Sequence, residues 1–267
     1  MISKKGFSKY ITFGFREEWF VGLLSKGERY FEENSLGPKQ LVSFITYLKD
    51  CELLTKVKKN KTLSSKNKLR LTKLFYKLKD IFKSEGIKSK TIWGVIWINL
   101  CFNSSLFKWW ANQEKGIYPR KKLIMLMSHH LEKMNVSVID AYVSLLNTLE
   151  KSPIGEGLKQ GIVERKGRER IVVKETCSKI PPILILYNLY KLSENYDLYE
   201  INLNKIENYP ESPQKIFSLS SLKVGDLLDS FMTSNLFDIS INNNSYILNP
   251  NISSLEILDN YKGGLNG

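Results

Sequence analysis

Two groups of cationic side chains are the residues best placed to do chemistry in this sequence. Both groups lie in short segments with the pattern of β-hairpins, one at 56–70 and one within GIVERKGRERIVVKE (161–175). Lysine and arginine neutralise phosphates and release condensed counterions, which gives affinity for nucleic acid regardless of its sequence. Arginine can also enter a narrow minor groove or fork onto a guanine edge. The predicted DNA-binding cations of the two hairpins are Lys56, Lys58, Lys59, Lys61, Lys66, Lys68, Arg70, Arg165, Lys166, Arg168 and Arg170.

The helix that precedes the first hairpin adds two further candidates. The helical repeat places Lys39 and Ser43 outward, where they could meet phosphates or base edges. The alternative interpretation of all these cations is a lysine-rich solvated surface. The concentration of charge in hairpins favours nucleic-acid binding.

Signals for catalysis are few. Glu164 and Lys166 form a Glu-x-Lys string, which in metal-dependent nucleases alternates on a strand beside an Asp and helps to activate water. Asp140 could be that Asp, although it is predicted on a helix, and such a string arises easily by chance. His129 and His130 have no further ligand at metal spacing, so we interpret them as surface and half-buried side chains. The sequence names no catalytic residue, no metal ligand and no cofactor, and a nuclease would need Mg²⁺ or Mn²⁺.

The charge of the chain is unevenly distributed. The formal net charge of the 267 residues is +13. Residues 1–90 carry 21 Lys and Arg against 9 Asp and Glu, residues 91–180 carry 14 against 8, and residues 181–267 carry 5 against 10. A polyanionic partner is therefore expected to bind the first two thirds, and the acidic last third to pack against them or dock a partner protein.

Cysteine usage and hydropathy favour a cytoplasmic protein. Cys51, Cys101 and Cys177 are widely spaced, which argues against a disulfide framework or a zinc site. The longest apolar stretches, TIWGVIWINLCF and PPILILYNLY, are too short to span a bilayer, and the first ten residues lack the apolar run of a signal peptide. We expect no membrane partner.

The elements that would position the cations form a repeated pattern. A helix at 39–54 follows a turn and precedes the first hairpin, after which a helix at 71–82 resumes. A second pair of helices, at 120–134 and 138–154, precedes the second hairpin. Helix, turn, helix and basic hairpin is the order of a winged helix-turn-helix, so we predict a mainly α protein of tandem winged-helix modules with small hairpin wings.

A third copy is predicted in the acidic last third. It comprises helices at 180–194, 213–220 and 222–237 and a hairpin at 238–250 that carries no cation. The predicted domains are therefore 1–88, 89–180 and 181–267. The Trp-rich segment 89–114 within the middle domain is interpreted as a core helix and its packing partner, the alternative being exposed rings that stack on bases.

The N-terminal segment contains a set of aromatic and polar residues with a defined spacing: Phe7, Ser8, Thr12, Phe13, Phe15 and Arg16. This segment resembles the opening motif, Phe-Ser-Gly-His-Glu-Thr-Phe-x-Phe-Arg, of a bacterial family of unknown-function proteins that is encoded beside phosphosulfate-reductase-like sulfur-transfer enzymes. Leu36-Gly37, the helix end Glu52-Leu53-Leu54 and the string Ser152-Pro153-Ile154-x-Glu156 are similar to later motifs of the family. The resemblance extends over about residues 6–190. The family's His-Glu pair is Tyr10-Ile11 here, so no role of that pair is carried over.

The resemblance implies a place in DNA phosphorothioation, in which sulfur replaces a non-bridging phosphate oxygen, and in the anti-phage defence built on it. Its implied partners are DNA and the sulfur-transfer and ATPase proteins of the same system. One member is thought to bind and nick DNA so that sulfur can be inserted. Arg16 is retained and is a further candidate for a phosphate contact, although a structural role is equally compatible with the sequence. Two other functions stay open: a non-enzymatic DNA-binding adaptor and a winged-helix transcriptional regulator.

Overall fold

Short antiparallel strands separate successive groups of helices along the chain. The computed structural model describes residues 2–56, 69–132, 136–167, 169–231, 237–240 and 245–260. The helices are α1 (Glu17–Lys26), α2 (Pro38–Asp50), α3 (Lys73–Glu85), α4 (Lys90–Asn103), α5 (Ser105–Ala111), α6 (Arg120–Leu131), α7 (Val136–Lys151), α8 (Pro182–Tyr196), α9 (Leu203–Ile206), α10 (Pro213–Phe217), α11 (Ser221–Leu228) and α12 (Ser254–Ile257). The strands are β1 (Leu54–Lys56), β2 (Leu69–Leu71), β3 (Gly116–Pro119), β4 (Ile162–Lys166), β5 (Glu169–Lys174), β6 (Glu200–Ile201), β7 (Phe237–Ser240) and β8 (Ser245–Leu248). The prediction of a mainly α protein is confirmed.

The strands form one two-stranded and two three-stranded antiparallel sheets. β1 pairs with β2, while the larger sheets have the orders β3-β5-β4 and β6-β8-β7. The sequence predicted three hairpins, and all three pairs of strands are present. It did not predict β3, which precedes α6 and joins the second hairpin, or β6, which follows α8 and joins the third hairpin. The last predicted helix was too long, because α11 ends at Leu228 and residue 237 begins β7.

The Trp-rich segment forms the centre of the protein. α4 is apolar on every side, which is typical of a helix enclosed by others, and Trp93 and Trp97 are fully buried. Trp110 on α5 is also fully buried, and its Nε1 donates to the carbonyl oxygen of Gln160 at 2.7 Å. These rings are closed to bases, so the interpretation as core helices is confirmed.

One cluster of buried hydrophobic side chains extends through the chain, from Phe7 to Leu258. The predicted domains share this core, and the boundaries at 88 and 180 stay a prediction. Cys51, Cys101 and Cys177 are free and buried within it. Among the described residues, no helix is long and apolar enough to cross a membrane.

Lys174 ties the β3-β5-β4 sheet to the end of α5. Its side chain is buried, and its Nζ donates to the carbonyl oxygens of Trp110 at 3.0 Å, Ala111 at 2.7 Å and Gln113 at 2.7 Å. Burial lowers the pKa of Lys174 to about 7. An ammonium group has three donors, so the charged form satisfies all three carbonyl groups at this helix end.

α2 ends in a left-handed residue that is not glycine. Glu52 has φ 60°, and Leu53 N donates to the carbonyl oxygen of Leu48 at 2.8 Å, the long bond of a Schellman motif. The Glu52 carboxylate accepts from Asn103 at 2.9 Å and from the buried Lys191 at 2.5 Å. These partners compensate for a backbone conformation that favours glycine.

Candidate nucleic-acid interface

The second basic hairpin lies against the C-terminal part of α7. Gly167 follows β4 and has a φ of 62°, as expected for a glycine in the turn that the Lys166-Gly167 pair predicted. Arg165 and Arg170 are direct partners across the two strands, so their side chains are on the same face of the sheet. Both bind Glu150 of α7: Nη2 of Arg165 donates to Oε1 at 3.0 Å and Nη1 of Arg170 to Oε2 at 3.1 Å. One carboxylate therefore holds two guanidinium groups side by side.

A third arginine continues this line across the sheet. Pro119 of β3 pairs with Ile171 of β5, so the next residue, Arg120, lies at the level of Arg170. The Arg120 guanidinium is 5.8 Å from the ring centroid of Tyr142 on α7, a cation–π contact on the same side as Glu150. We name Arg120, Arg165 and Arg170 the arginine row.

The first turn of α6 extends the positive charge beyond the row. It holds Arg120, Lys121 and Lys122, it contains no acidic residue, and no side chain caps it at Pro119. Cations are unfavourable at a helix N-terminus, where the backbone N–H groups already carry partial positive charge. All three side chains are exposed. This turn and the arginine row form a continuous surface that favours an anion.

The electrostatics of Glu150 reflect its two partners. Partial burial raises the pKa of the Glu150 carboxyl, but the hydrogen bond from Arg165 and the charge of Arg170 outweigh it, and the net shift is downward. The carboxylate stays ionised and cancels about one of the two neighbouring charges. The exposed fractions of the side chains are 71% for Arg165, 37% for Arg170 and 17% for Glu150, so the arginines cover the carboxylate and face solvent.

The Glu-x-Lys string does not meet its proposed Asp. Glu164 and Lys166 alternate with Arg165 on β4, so they are on the opposite face of the sheet from α7, which carries Asp140. Both strand residues are exposed. Within the described part of the chain, no three His, Cys, Asp or Glu side chains are grouped closely enough to hold a metal ion. Arg168 is outside the described residues.

The N-terminal motif packs on the same part of α7. Gly14 touches the backbone of α7 so closely that a Cβ atom would be 2.3 Å from Thr148 N, and Phe15 N donates to Thr148 Oγ1 at 2.9 Å. The following Arg16 donates to Glu18 at 3.1 Å and is 4.9 Å from the Trp19 ring centroid. The structure thus places this candidate within a local ion pair and a cation–π contact, with 28% of its side chain exposed.

The prediction that Ser43 points outward, where DNA could meet it, is wrong. Ser43 is 1% exposed, and its hydroxyl donates to the carbonyl oxygen of Tyr10 at 3.1 Å. The N-terminal segment covers this side of α2, which the helical repeat alone could not reveal. Tyr10, at the position of the family's histidine, is buried, stacks on Tyr47 and donates to Asp50.

The structure describes only some of the candidates on α2 and the first hairpin. Lys39 at the start of α2 and Arg70 on β2 are exposed, as expected. Lys56 ends β1. The remaining five candidates of that hairpin are outside the described residues: Lys58, Lys59, Lys61, Lys66 and Lys68.

One histidine is exposed and the other is half-buried, as predicted. His129 is exposed, whereas the half-buried His130 ring contacts Phe7 at 5.4 Å and Trp109 at 6.1 Å between centroids. Burial lowers the pKa of His130.

Neither Arg120 nor Glu150 could be assigned to this candidate interface from the sequence. β3 is four residues long and lies more than 40 residues from β5, so the pairing that aligns Arg120 with Arg170 depends on long-range contacts. The cationic run Arg120-Lys121-Lys122 after a proline was the available signal.

Solved structures with the same fold are known. A magnesium-bound crystal structure of SspB aligns with a TM-score of 0.71 at 12% sequence identity, over 94% of this chain and 86% of that one. A further SspB crystal structure aligns with a TM-score of 0.70 at 13% identity, over the same shares. The chain has an SspB-like fold. No protein-family model and no curated protein matches the chain, so the similarity to SspB is one of fold.

The SspB-like fold spans all three predicted domains, because the alignment covers nearly the whole chain. The resemblance inferred from the N-terminal motifs led to the same group of proteins, and the similarity of fold confirms it at that level.

Proposed function

We propose that this protein is a DNA-binding component of a bacterial DNA phosphorothioation system that acts in anti-phage defence. The SspB-like fold and the N-terminal motifs support the placement in such a system. The observation that carries the DNA-binding role is the arginine row beside the basic first turn of α6. In this proposal the protein presents DNA to the sulfur-transfer and ATPase proteins of the system.

The arginine row is suited to a phosphodiester backbone. A guanidinium group offers five donors in a planar fork, and Glu150 occupies one terminal nitrogen of Arg165 and one of Arg170. Strand pairing brings the backbones of the three arginines close together, so their charges are presented side by side. The contacts would be sequence-independent, as expected for a protein that serves many DNA sites.

The hairpins take the place of wings in this proposal. β3, the pair α6 and α7, and the β4-β5 hairpin follow one another, with β3 completing the sheet. We propose that this unit acts as a winged helix, with the hairpin on the DNA backbone. The first hairpin, with exposed Arg70, would add a second set of backbone contacts.

Strand nicking is a second candidate function, and the magnesium-bound SspB structure is the observation that favours it. A nickase would use Mg²⁺ or Mn²⁺ to activate water and stabilise the leaving oxygen. The described residues do not provide a fitting set of ligands. We therefore assign no catalytic residue and derive no step through a metal ion.

One assay separates these candidates. Supercoiled plasmid is incubated with the purified protein in rising salt, with Mg²⁺ or Mn²⁺ and then with EDTA. We expect a mobility shift that weakens as salt rises. Conversion to open circles that stops with EDTA would establish a nickase, whereas closed plasmid with a shift would establish a binding component that leaves chemistry to a partner.

The same preparation tests the remaining alternatives. A transcriptional regulator would bind one operator far more tightly than other DNA, while a backbone-binding component would show a ratio of specific to non-specific affinity near one. Absence of any salt-sensitive shift with single-stranded or duplex DNA would contradict the proposed function.

A further inference from the structure

We propose that Glu150 is an intramolecular stand-in for a DNA phosphate, which the phosphate displaces from Arg165 and Arg170 when DNA binds. This inference rests on the proposed function and adds a regulatory role for the same site. Its basis is geometric: each oxygen of one carboxylate accepts a hydrogen bond from a different guanidinium, at 3.0 and 3.1 Å. Two oxygens of a phosphodiester could accept the same pair of bonds.

Glu150 and a bound phosphate compete for the same donors. The terminal nitrogens that Glu150 occupies belong to the ends of the guanidinium groups, where a fork-shaped contact with an anion would form. A phosphate that came close without displacing Glu150 would also be repelled by the carboxylate. Arg165 is 71% exposed and on a hairpin tip, so it can turn from the carboxylate towards solvent with little change in the core.

If a phosphate displaces Glu150 from the arginines, the pKa of Glu150 should change. In the free protein the arginine partners keep the pKa of Glu150 below its usual value. When phosphate takes Arg165 and Arg170, Glu150 loses that stabilisation and gains a negative neighbour, so its pKa rises. The charge of Lys151 also lowers the pKa of Glu150 and is present in both states. DNA binding should therefore take up a proton as the pH approaches the range of glutamate, and affinity should increase as pH falls.

The test compares Glu150→Gln with wild type on a labelled duplex and a labelled single strand from pH 7 to pH 5. At pH 7 and low salt, the variant should bind about fivefold more tightly, which is the effect of removing one like charge about 4 Å from a phosphate in water-like surroundings. As pH falls, the DNA affinity of wild type should increase more than that of the variant, until the two affinities are equal. All other ionisable groups are the same in both proteins, so the difference between the proteins isolates Glu150.

Glu156→Gln is the matched control. It makes the same change in net charge on an exposed side chain in the loop after α7 and should change affinity less than twofold. A calorimetric titration of wild type in two buffers of different ionisation enthalpy measures proton uptake without any variant. It keeps the inference testable even if Glu150→Gln folds poorly.

Two negative outcomes have different meanings. If wild type binds DNA in a salt-sensitive manner but takes up no proton, and Glu150→Gln binds with unchanged affinity, phosphate does not displace Glu150 and the inference fails while the proposed function stands. If neither protein binds DNA, the proposed function itself fails.

Discussion

Replacing two members of the arginine row should reduce the salt dependence of DNA binding by a defined amount. The perturbation is Arg165→Gln with Arg170→Gln, which removes the two charges that face solvent above Glu150. Each phosphate neutralised on duplex DNA contributes about 0.9 to the slope of log affinity against log salt, so the slope should fall by about 1.8. Between 50 and 200 mM salt, wild type should therefore lose about tenfold more affinity than the double variant.

The assay is fluorescence anisotropy with a short labelled duplex at four or more salt concentrations. The matched control is Lys205→Gln with Lys223→Gln, which lowers the net charge equally in the acidic last third, where Lys205 is exposed and the side chain of Lys223 is 44% exposed. The control should keep the wild-type slope. Thermal unfolding checks that both double variants remain folded, because the arginine replacements leave Glu150 without its partners.

Either of two results would refute this reasoning. An unchanged slope in the arginine variant would show that the row does not contact phosphate. An equal fall in the control variant would show that binding depends on net charge alone, with no localised interface.

Three further predictions concern stability, measured by urea unfolding. Gly14→Ala should cost about 3 kcal/mol because its Cβ would overlap the backbone at Asn147, and an unchanged midpoint would contradict that packing. Burial lowers the pKa of Lys174 to about 7, so above that pH the unfolded chain binds more protons than the folded protein. The free energy of unfolding should therefore rise between pH 7 and 8.5 by up to about 1.4 kcal/mol per pH unit. Lys174→Met should remove this pH dependence. Glu52→Gly should relieve about 1 kcal/mol of left-handed strain but leave the buried Lys191 without this carboxylate. The net effect should be a destabilisation of roughly 1–2 kcal/mol. Stability should be recovered when Lys191→Met is added, and failure to recover would refute the proposed role of the ion pair.

The elements of the fold could be predicted where local sequence is decisive. The apolar repeats located α2, α3, α6, α7 and α8, since burial of one helix face follows a period of 3.6 residues. The turn at Gly167 followed from the freedom of glycine to adopt positive φ, and it set the register of β4 and β5. The excess of cations in the first two thirds was also visible, because charge is a property of composition.

Tertiary structure decided which residues meet. Ser43 has the spacing of an outward residue on α2, but the N-terminal segment packs over it and makes it an internal hydrogen-bond donor to Tyr10. Arg120 joins Arg170 only because β3 pairs with β5, and a four-residue strand has too little local signal to reveal its partner. Glu150 became the centre of the interface because α7 packs beneath the hairpin. Sequence by itself determined the helices, the hairpins and the sign of the charge, since these depend on neighbours along the chain, while long-range packing gave the charge its arrangement.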